Sequence, residues 1–224
     1  MPIPALEAVI FDVDGTLIDS VDVHAQAWVE ALEGFGYEVP LAKVRRQIGK
    51  GGDHLLSALL PPDVVEARGK KMEAYRSKLF KELYLPNLVA FPCVRELIER
   101  IVADGKKVAL GSSAKADELD AYKRIANIGD LLDAETSSHD AAESKPDPDI
   151  FQAALHRLGK KPSQVVVVGD TPYDAEAAAK AGLRSIGLLC GGWSEVDLRG
   201  AGCVEIYRDP EDLLARYTQS ALAA

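Results

Sequence analysis

A chain of 224 residues with 47% hydrophobic content can bury a sizeable core, as one domain or as one domain carrying an insert. Its formal charge of −9 excludes a general nucleic-acid binder, which needs a basic footprint, and no apolar run is long enough to span a bilayer. Three cysteines, Cys93, Cys190 and Cys203, are odd in number and spaced like neither a disulfide framework nor a metal site, so reduced thiols are expected.

The first residues lack the basic and apolar regions of a signal peptide, and a cytoplasmic protein is expected. Ala8-Val9-Ile10-Phe11 predicts a strand buried on both faces. Asp12 and Asp14 follow, and at i and i+2 in extended chain their carboxylates face the same way. Gly15 then lets the backbone turn, because glycine tolerates positive φ. From residue 20 to 87 the pattern is helical, with no convincing strand. Helices are expected over 21–34, 43–48 and 64–83, with another carrying Leu55, Leu56, Leu59 and Leu60 behind an Asp53 cap. Gly49-Lys50-Gly51-Gly52 forms a loop, and Pro61-Pro62 separates the last two helices.

From Phe91 strands and helices alternate. Helices are expected over 93–104, after Ser113, from Pro148 behind an Asp147 cap to Gly159, and from Pro172 to Gly182. Strands are expected at 108–110, 131–136, 165–168, 185–189 and 204–207. Such alternation implies a parallel sheet with helices on both faces. The expected fold is a doubly wound α/β core, residues 1–19 and 88–224, with an α-helical insert over 20–87. The insert is near neutral, so the acid excess falls on the core. Its basic run, 68–78, reads as a solvated helix face.

In open parallel sheets, ligands bind beyond the carboxyl ends of the strands. Asp12 and Asp14, Ser112, and Gly169-Asp170 all occupy such ends, so three strands deliver acids or a hydroxyl to one edge. Two adjacent carboxylates imply a cation between them or a proton on one. Asp12, Asp14 and Asp170 form the oxygen-only set that a hard cation prefers, and Mg²⁺ is the expected occupant. Taken singly, Asp14-Gly15 also reads as a turn and Asp170 as a turn acid. Asp174, three residues after Thr171, fits a capping box and could also touch a metal-bound water. Ser112 lies where backbone N–H groups favour an anion, although it or Ser113 could simply cap a helix. Lys145 precedes a proline and is therefore extended, in a loop where a lysine is otherwise ordinary surface. Lys50 could reach over the site on hinging glycines, or its loop could be a plain turn.

The string from Asp12 to Ser20, Asp-Val-Asp-Gly-Thr-Leu-Ile-Asp-Ser, resembles the first signature of the haloacid dehalogenase superfamily of phosphohydrolases. Ser112, Lys145-Pro146 and Gly169-Asp170-x-x-x-Asp174 resemble its other three signatures, in order and spread over most of the chain. The helical insert resembles the α-helical cap of the subgroup that includes phosphoglycolate phosphatase-like enzymes and β-phosphoglucomutase.

The resemblance implies a Mg²⁺-dependent phosphatase acting on a small phosphorylated metabolite. Asp12 would attack phosphorus to give an aspartyl phosphate, with Asp14 as general acid and base. Mg²⁺ would be held by Asp12, the backbone carbonyl of Asp14, and Asp170. Gly15, Ser112, Ser113 and Lys145 would hold phosphate oxygens, and Lys145 would also orient Asp12. His24 stands in a position that resembles a mutase histidine beside the general acid, and Gly49 and Lys50 are candidates for substrate contact from the cap.

A sugar-phosphate mutase is the alternative. It is weakened because the mutases' Glu-Asp is Gly169-Asp170 here and the loop Gly49-Lys50-Gly51-Gly52-Asp53 lacks their arginine. A dehalogenase would not be expected to keep Asp14 and Asp170, and a phosphoacceptor signalling domain would be about half as long. A monomer with no nucleic-acid or membrane partner is expected.

Overall fold

The computed structural model describes residues 5–223; residues 1–4, part of the stretch in which no signal peptide is expected, and residue 224 lie outside them. Six strands form one parallel sheet: β1 (Ala8–Phe11), β2 (Lys107–Gly111), β3 (Ala134–Thr136), β4 (Val165–Gly169), β5 (Arg184–Leu188) and β6 (Glu205–Tyr207). Their order is β3-β2-β1-β4-β5-β6. The most apolar strands take the middle, where both faces are covered. In β1 and β4 every residue is buried, and Phe11 lies level with Leu110 on one side and Val168 on the other.

The chain steps outward from β1 to β2 and β3, then returns to the far side of β1 for the remaining strands. The segments leaving β1 and β4 therefore diverge to opposite faces and open a crevice at their carboxyl ends. Asp12 and Asp170 are the residues that leave these two strands.

Between β1 and β2 the chain builds α1 (Val21–Gly34), α2 (Leu41–Arg45), α3 (Gly52–Leu59) and α4 (Pro62–Leu79). These helices bury an apolar cluster of their own, with Trp28, Leu32, Val44, Leu55, Leu56 and Met72 at its centre. Full burial of one such side chain stabilises by about 1.5–3 kcal/mol. The helical stretch expected over 64–83 keeps α geometry only to Leu79. A π-type turn, Phe80–Tyr84, and a 3₁₀ turn, Leu85–Asn87, then return the chain to the core.

The remaining helices clothe the sheet. Side chains alternate across a strand, so Val9, Phe11, Val108, Leu110, Val166 and Val168 make one apolar layer, and Ala8, Ile10, Ala109, Val165 and Val167 the other. The first layer is covered by α5 (Val94–Ala103) and α6 (Ala116–Ala126), the second by α7 (Asp149–Leu158) and α8 (Pro172–Lys180). Two short helices, α9 (Glu195–Gly200) and α10 (Pro210–Ala215), close the far edge.

Four local expectations change. The second insert helix starts directly after Pro40 and ends at Arg45, earlier than 43–48. Of the strand expected over 131–136, only Ala134–Thr136 pairs; Gly129–Leu131 is a 3₁₀ turn. Asp53 does not cap α3, because Gly51 holds that place and the Asp53 carboxylate is drawn to the Ser144 hydroxyl, 2.5 Å away. Asp147 does not cap α7 either. It pairs with Lys180 at 3.0 Å, while Asp149 accepts the N–H groups of Ala142 and Glu143.

Candidate active site

The Asp12 N–H donates to Val168 O at 2.9 Å, which carries the sheet ladder one residue beyond β1. The backbone then turns tightly: Leu17 N–H bonds Val13 O, and Gly15 N–H bonds Ile18 O. Gly15 has φ +83°, and a Cβ there would stand 2.4 Å from Asp170 Oδ2. Conformation and space both demand glycine. The turn keeps Asp12 and Asp14 on one cavity but gives them different company.

Asp12 belongs to a buried group with Asp170 and Asp174, one oxygen from each lying within 4.8 Å of the others. The Lys145 Nζ contacts Asp12 Oδ1 and lies 2.8 Å from Asp174 Oδ1. Lys145 is only 1% exposed, so the loop lysine is an interior ammonium. Burial alone would depress its pKa, but Asp12 and Asp174 raise it. The Thr16 hydroxyl donates to Asp170 Oδ1 at 2.9 Å. Asp170 Oδ2 is buried without a hydrogen-bond partner among the described residues. Burial raises Asp12 and Asp170 above the ordinary carboxylate range, with neighbouring acids adding to the effect. Three buried carboxylates against one ammonium form an unbalanced site. An orphaned carboxylate oxygen among oxygen donors is what a hard divalent cation such as Mg²⁺ would satisfy.

Asp174 plays its expected helix-capping part at the same time. Its Oδ2 accepts from Thr171 N–H at 3.0 Å and from the Thr171 hydroxyl at 2.6 Å, which leaves Oδ1 for Lys145.

The Asp14 carboxylate turns away from this group. Its Oδ1 accepts from the Ser20 hydroxyl and faces His24 Nε2, both at 2.7 Å. Any share Asp14 takes in holding an ion therefore falls to its main chain. Burial would raise Asp14, but His24, Ser20 and Tyr122 outweigh it and hold the carboxyl down to about 2. His24 is itself fixed on three sides. Its ring stacks on Phe80 at 4.2 Å, its Nε2 lies 3.1 Å from the Tyr122 hydroxyl, and its Nδ1 meets the Arg76 guanidinium. Since Arg76 can only donate, Nδ1 is the acceptor and Nε2 carries the proton directed at Asp14.

These two carboxylates share a cavity of about 340 Å³ between the sheet edge and the insert. Ser113 lies on its wall, and the Ser113 hydroxyl is buried with no partner among the described residues. Neither Ser112 nor Ser113 caps α6, where Lys115 stands instead. Ser112 is buried, and its Oγ accepts from Ala114 N–H at 3.0 Å. On the insert side, Gly49 has φ +105° and is packed against Thr171, where a Cβ would lie 2.7 Å from the Thr171 methyl. Lys50 lines the cavity, but its ammonium bonds Gln47 Oε1 at 2.7 Å and sits 4.6 Å from the Tyr173 ring centre.

The basic run 68–78 is not uniformly solvated. Arg68, Lys70, Lys71 and Lys78 are exposed, whereas Arg76 turns into the cavity between the Trp28 and Phe80 rings. Its signal was the spacing Met72, Arg76, Phe80, which places it on the buried face of the helical stretch. Gly191 also escaped the sequence reading. It is buried against Asp170, where a Cβ would fall 1.7 Å from Oδ2. Nothing local in Cys190-Gly191-Gly192 announces that contact.

Residues 6–182 match the family model described as haloacid dehalogenase-like hydrolase. The chain is 31% identical to a phosphorylated carbohydrates phosphatase of Thermotoga maritima, over 93% of this chain and 97% of that protein. It is 32% identical to a phosphoglycolate phosphatase of Nitrosospira multiformis, over 81% and 82% of the two chains. Among solved structures, a hydrolase from Pseudomonas syringae superposes with a TM-score of 0.89 at 28% identity, over 95% of this chain and 98% of that one. With a family model spanning the first signature through the last, the chain belongs to the haloacid dehalogenase-like hydrolases.

Proposed function

We propose that the protein is a Mg²⁺-dependent phosphomonoesterase acting on a small phosphorylated metabolite, with Asp12 as nucleophile and residues 20–87 as a cap over the core. One observation carries this reading. Asp12 is held by a buried ammonium beside Asp170 and Asp174, while Asp14 is anchored separately on the same cavity. Asp12, Asp170 and the main chain of Asp14 would hold Mg²⁺, which supplies charge neutralisation between a carboxylate nucleophile and an anionic phosphate.

The chain's own groups do the rest. An Asp12 carboxylate oxygen attacks phosphorus, and the bond from phosphorus to the ester oxygen breaks. Asp14 takes up a proton as the phosphate anion arrives beside it and counters the donors that hold it ionised in the resting site, and it passes that proton to the departing oxygen. As a carboxylate, Asp14 then takes a proton from the water that attacks the aspartyl phosphate, releasing inorganic phosphate and restoring Asp12. Lys145 steadies Asp12 and, with Ser112, Ser113 and the turn at Gly15, receives phosphate oxygens.

The cavity beyond Asp12 and Asp14 is lined by acids and hydroxyls, Asp53, Glu73, Glu118 and Ser138 among them, and also by Lys50, Arg76 and Lys115. Hydroxyls of a leaving group would find both acceptors and donors there. A phosphorylated carbohydrate is the substrate class we favour, in keeping with the substrate named for the Thermotoga relative. The test is phosphate release with Mg²⁺ across sugar phosphates, phosphoglycolate, nucleoside monophosphates and an aryl phosphate, with Asp12→Asn as control. Preferred release from a sugar phosphate supports the reading. Full activity in Asp12→Asn overturns it, and isomerised sugar phosphates without release point to a mutase.

A further inference from the structure

We propose that Ser144 is a positioning residue that couples the insert to Lys145, so that the ammonium on Asp12 is fully held only while segment 49–54, the loop and first turn of α3, is seated on the core. The two residues are neighbours with opposite surroundings. Lys145 points inward onto Asp12 and Asp174. Ser144 points outward onto the insert, where its hydroxyl accepts from Gly51 N–H at 3.0 Å and donates to Asp53 Oδ1 at 2.5 Å. One peptide bond, planar and stiff, thus joins the residue held by the insert to the residue that carries the buried ammonium.

Gly51 shows how close the approach is. Its φ of −71° is open to any residue, yet a Cβ there would stand 2.5 Å from Ser144 Cβ. Glycine is required by the proximity of Ser144, not by backbone conformation. Further along α3, His54 Nε2 lies near the same segment, 3.3 Å from Asp147 Oδ2 and 3.9 Å from Glu143 Oε2, without a hydrogen bond to either. The insert thereby touches residues 143, 144 and 147, on both sides of Lys145. The segment 141–148 contains no helix or strand, so it depends on such side-chain ties for its shape.

The consequence for turnover rests on the phosphatase reading; the mechanical coupling does not. Amide hydrogen exchange of the Mg²⁺-loaded protein, without substrate, tests the coupling directly. Ser144→Ala and Gly51→Ala should each speed exchange across 49–54 and 142–148, including at amides beyond the Gly51–Ser144 contact that neither substitution touches. Both should lower kcat on p-nitrophenyl phosphate about 10- to 100-fold, as expected of a small misplacement of a reacting group, with the Mg²⁺ midpoint little changed. Asp53→Asn keeps an acceptor for the serine hydroxyl, so exchange in 142–148 should stay close to that of the unsubstituted protein. Faster exchange confined to the altered segment, or unchanged kcat in both variants, overturns the proposal. An unsubstituted protein that hydrolyses nothing would count against the phosphatase reading, and the exchange data would still decide the coupling.

Discussion

Gly191→Ala offers a stringent test of the proposed metal site, because the substituted residue carries no functional group. Gly191 ends a 3₁₀ turn after β5, and the space its Cβ would need is filled by Asp170, with Oδ2 at 1.7 Å and Cγ at 2.5 Å. Ordinary contact begins near 3.4 Å, so the carboxylate must move by more than 1 Å or the turn must give way. Overpacking of this kind costs about 1–3 kcal/mol, which for a chain of this size lowers Tm by about 2–12 °C. The larger effect falls on the ion. Mg²⁺ binds oxygens at about 2.0–2.1 Å in near-ideal octahedral geometry, so a displaced Asp170 should weaken affinity at least as much as losing an outer-shell partner, about 10- to 100-fold. Thermal unfolding with and without Mg²⁺, together with a Mg²⁺ titration of p-nitrophenyl phosphate hydrolysis, reads both. Gly200→Ala, which meets nothing within 4 Å, is the control and should change neither. An unchanged Mg²⁺ midpoint in Gly191→Ala, repeated in Asp170→Asn, would refute the assignment of Asp170 as a ligand.

Other expectations follow from the same contacts. Mg²⁺ at a hundred times its Kd should stabilise the folded chain by about 2.7 kcal/mol, reversed by a chelator; no shift in calorimetry would count against the site. Lys145→Met leaves three buried carboxylates without their ammonium and should destabilise the metal-free protein by about 3–5 kcal/mol in urea unfolding, so an equally stable variant contradicts the pairing seen here. Arg76→Ala should lower kcat about tenfold or more while sparing the Mg²⁺ midpoint, since it frees the His24 ring that faces Asp14. Arg76→Lys should recover only part, because lysine lacks the flat face that sits between Trp28 and Phe80. Leu56→Ala should cost about 2–5 kcal/mol from the apolar cluster of the insert, measured by urea unfolding.

The legible parts of this fold are those where local chemistry and long-range packing agree. Four valines in a row could only be an interior strand, and the Thr171/Asp174 capping box was written in four residues. The meeting of Asp12, Asp170 and Asp174 was legible because strand ends converge on one edge of a parallel sheet. Asp53 and Asp147 misled because each is a good cap in isolation, and a partner about thirty or ninety residues away won: Lys180 for Asp147, Ser144 for Asp53. Gly191 was illegible for a related reason. Its meaning lies in Asp170, on another strand, and no pattern within its own segment points there.

The sheet order also sets a timetable for biosynthesis. β1 leaves the ribosome before either of its neighbours, since its registers pair Ala8 with Lys107 and with Val165. At translation rates of about 5–20 residues per second, this wholly apolar strand waits roughly 5–20 s for one neighbour and longer for the other. The insert helices, whose cluster is local, are completed during that wait. Asp12 must therefore pass through synthesis as a solvated aspartate on an unpaired strand, and it acquires its ammonium only after the part of the chain carrying Lys145 has been made. A nascent chain halted before β4 should be held by chaperones and protease-sensitive at β1, with residues 20–87 already protected.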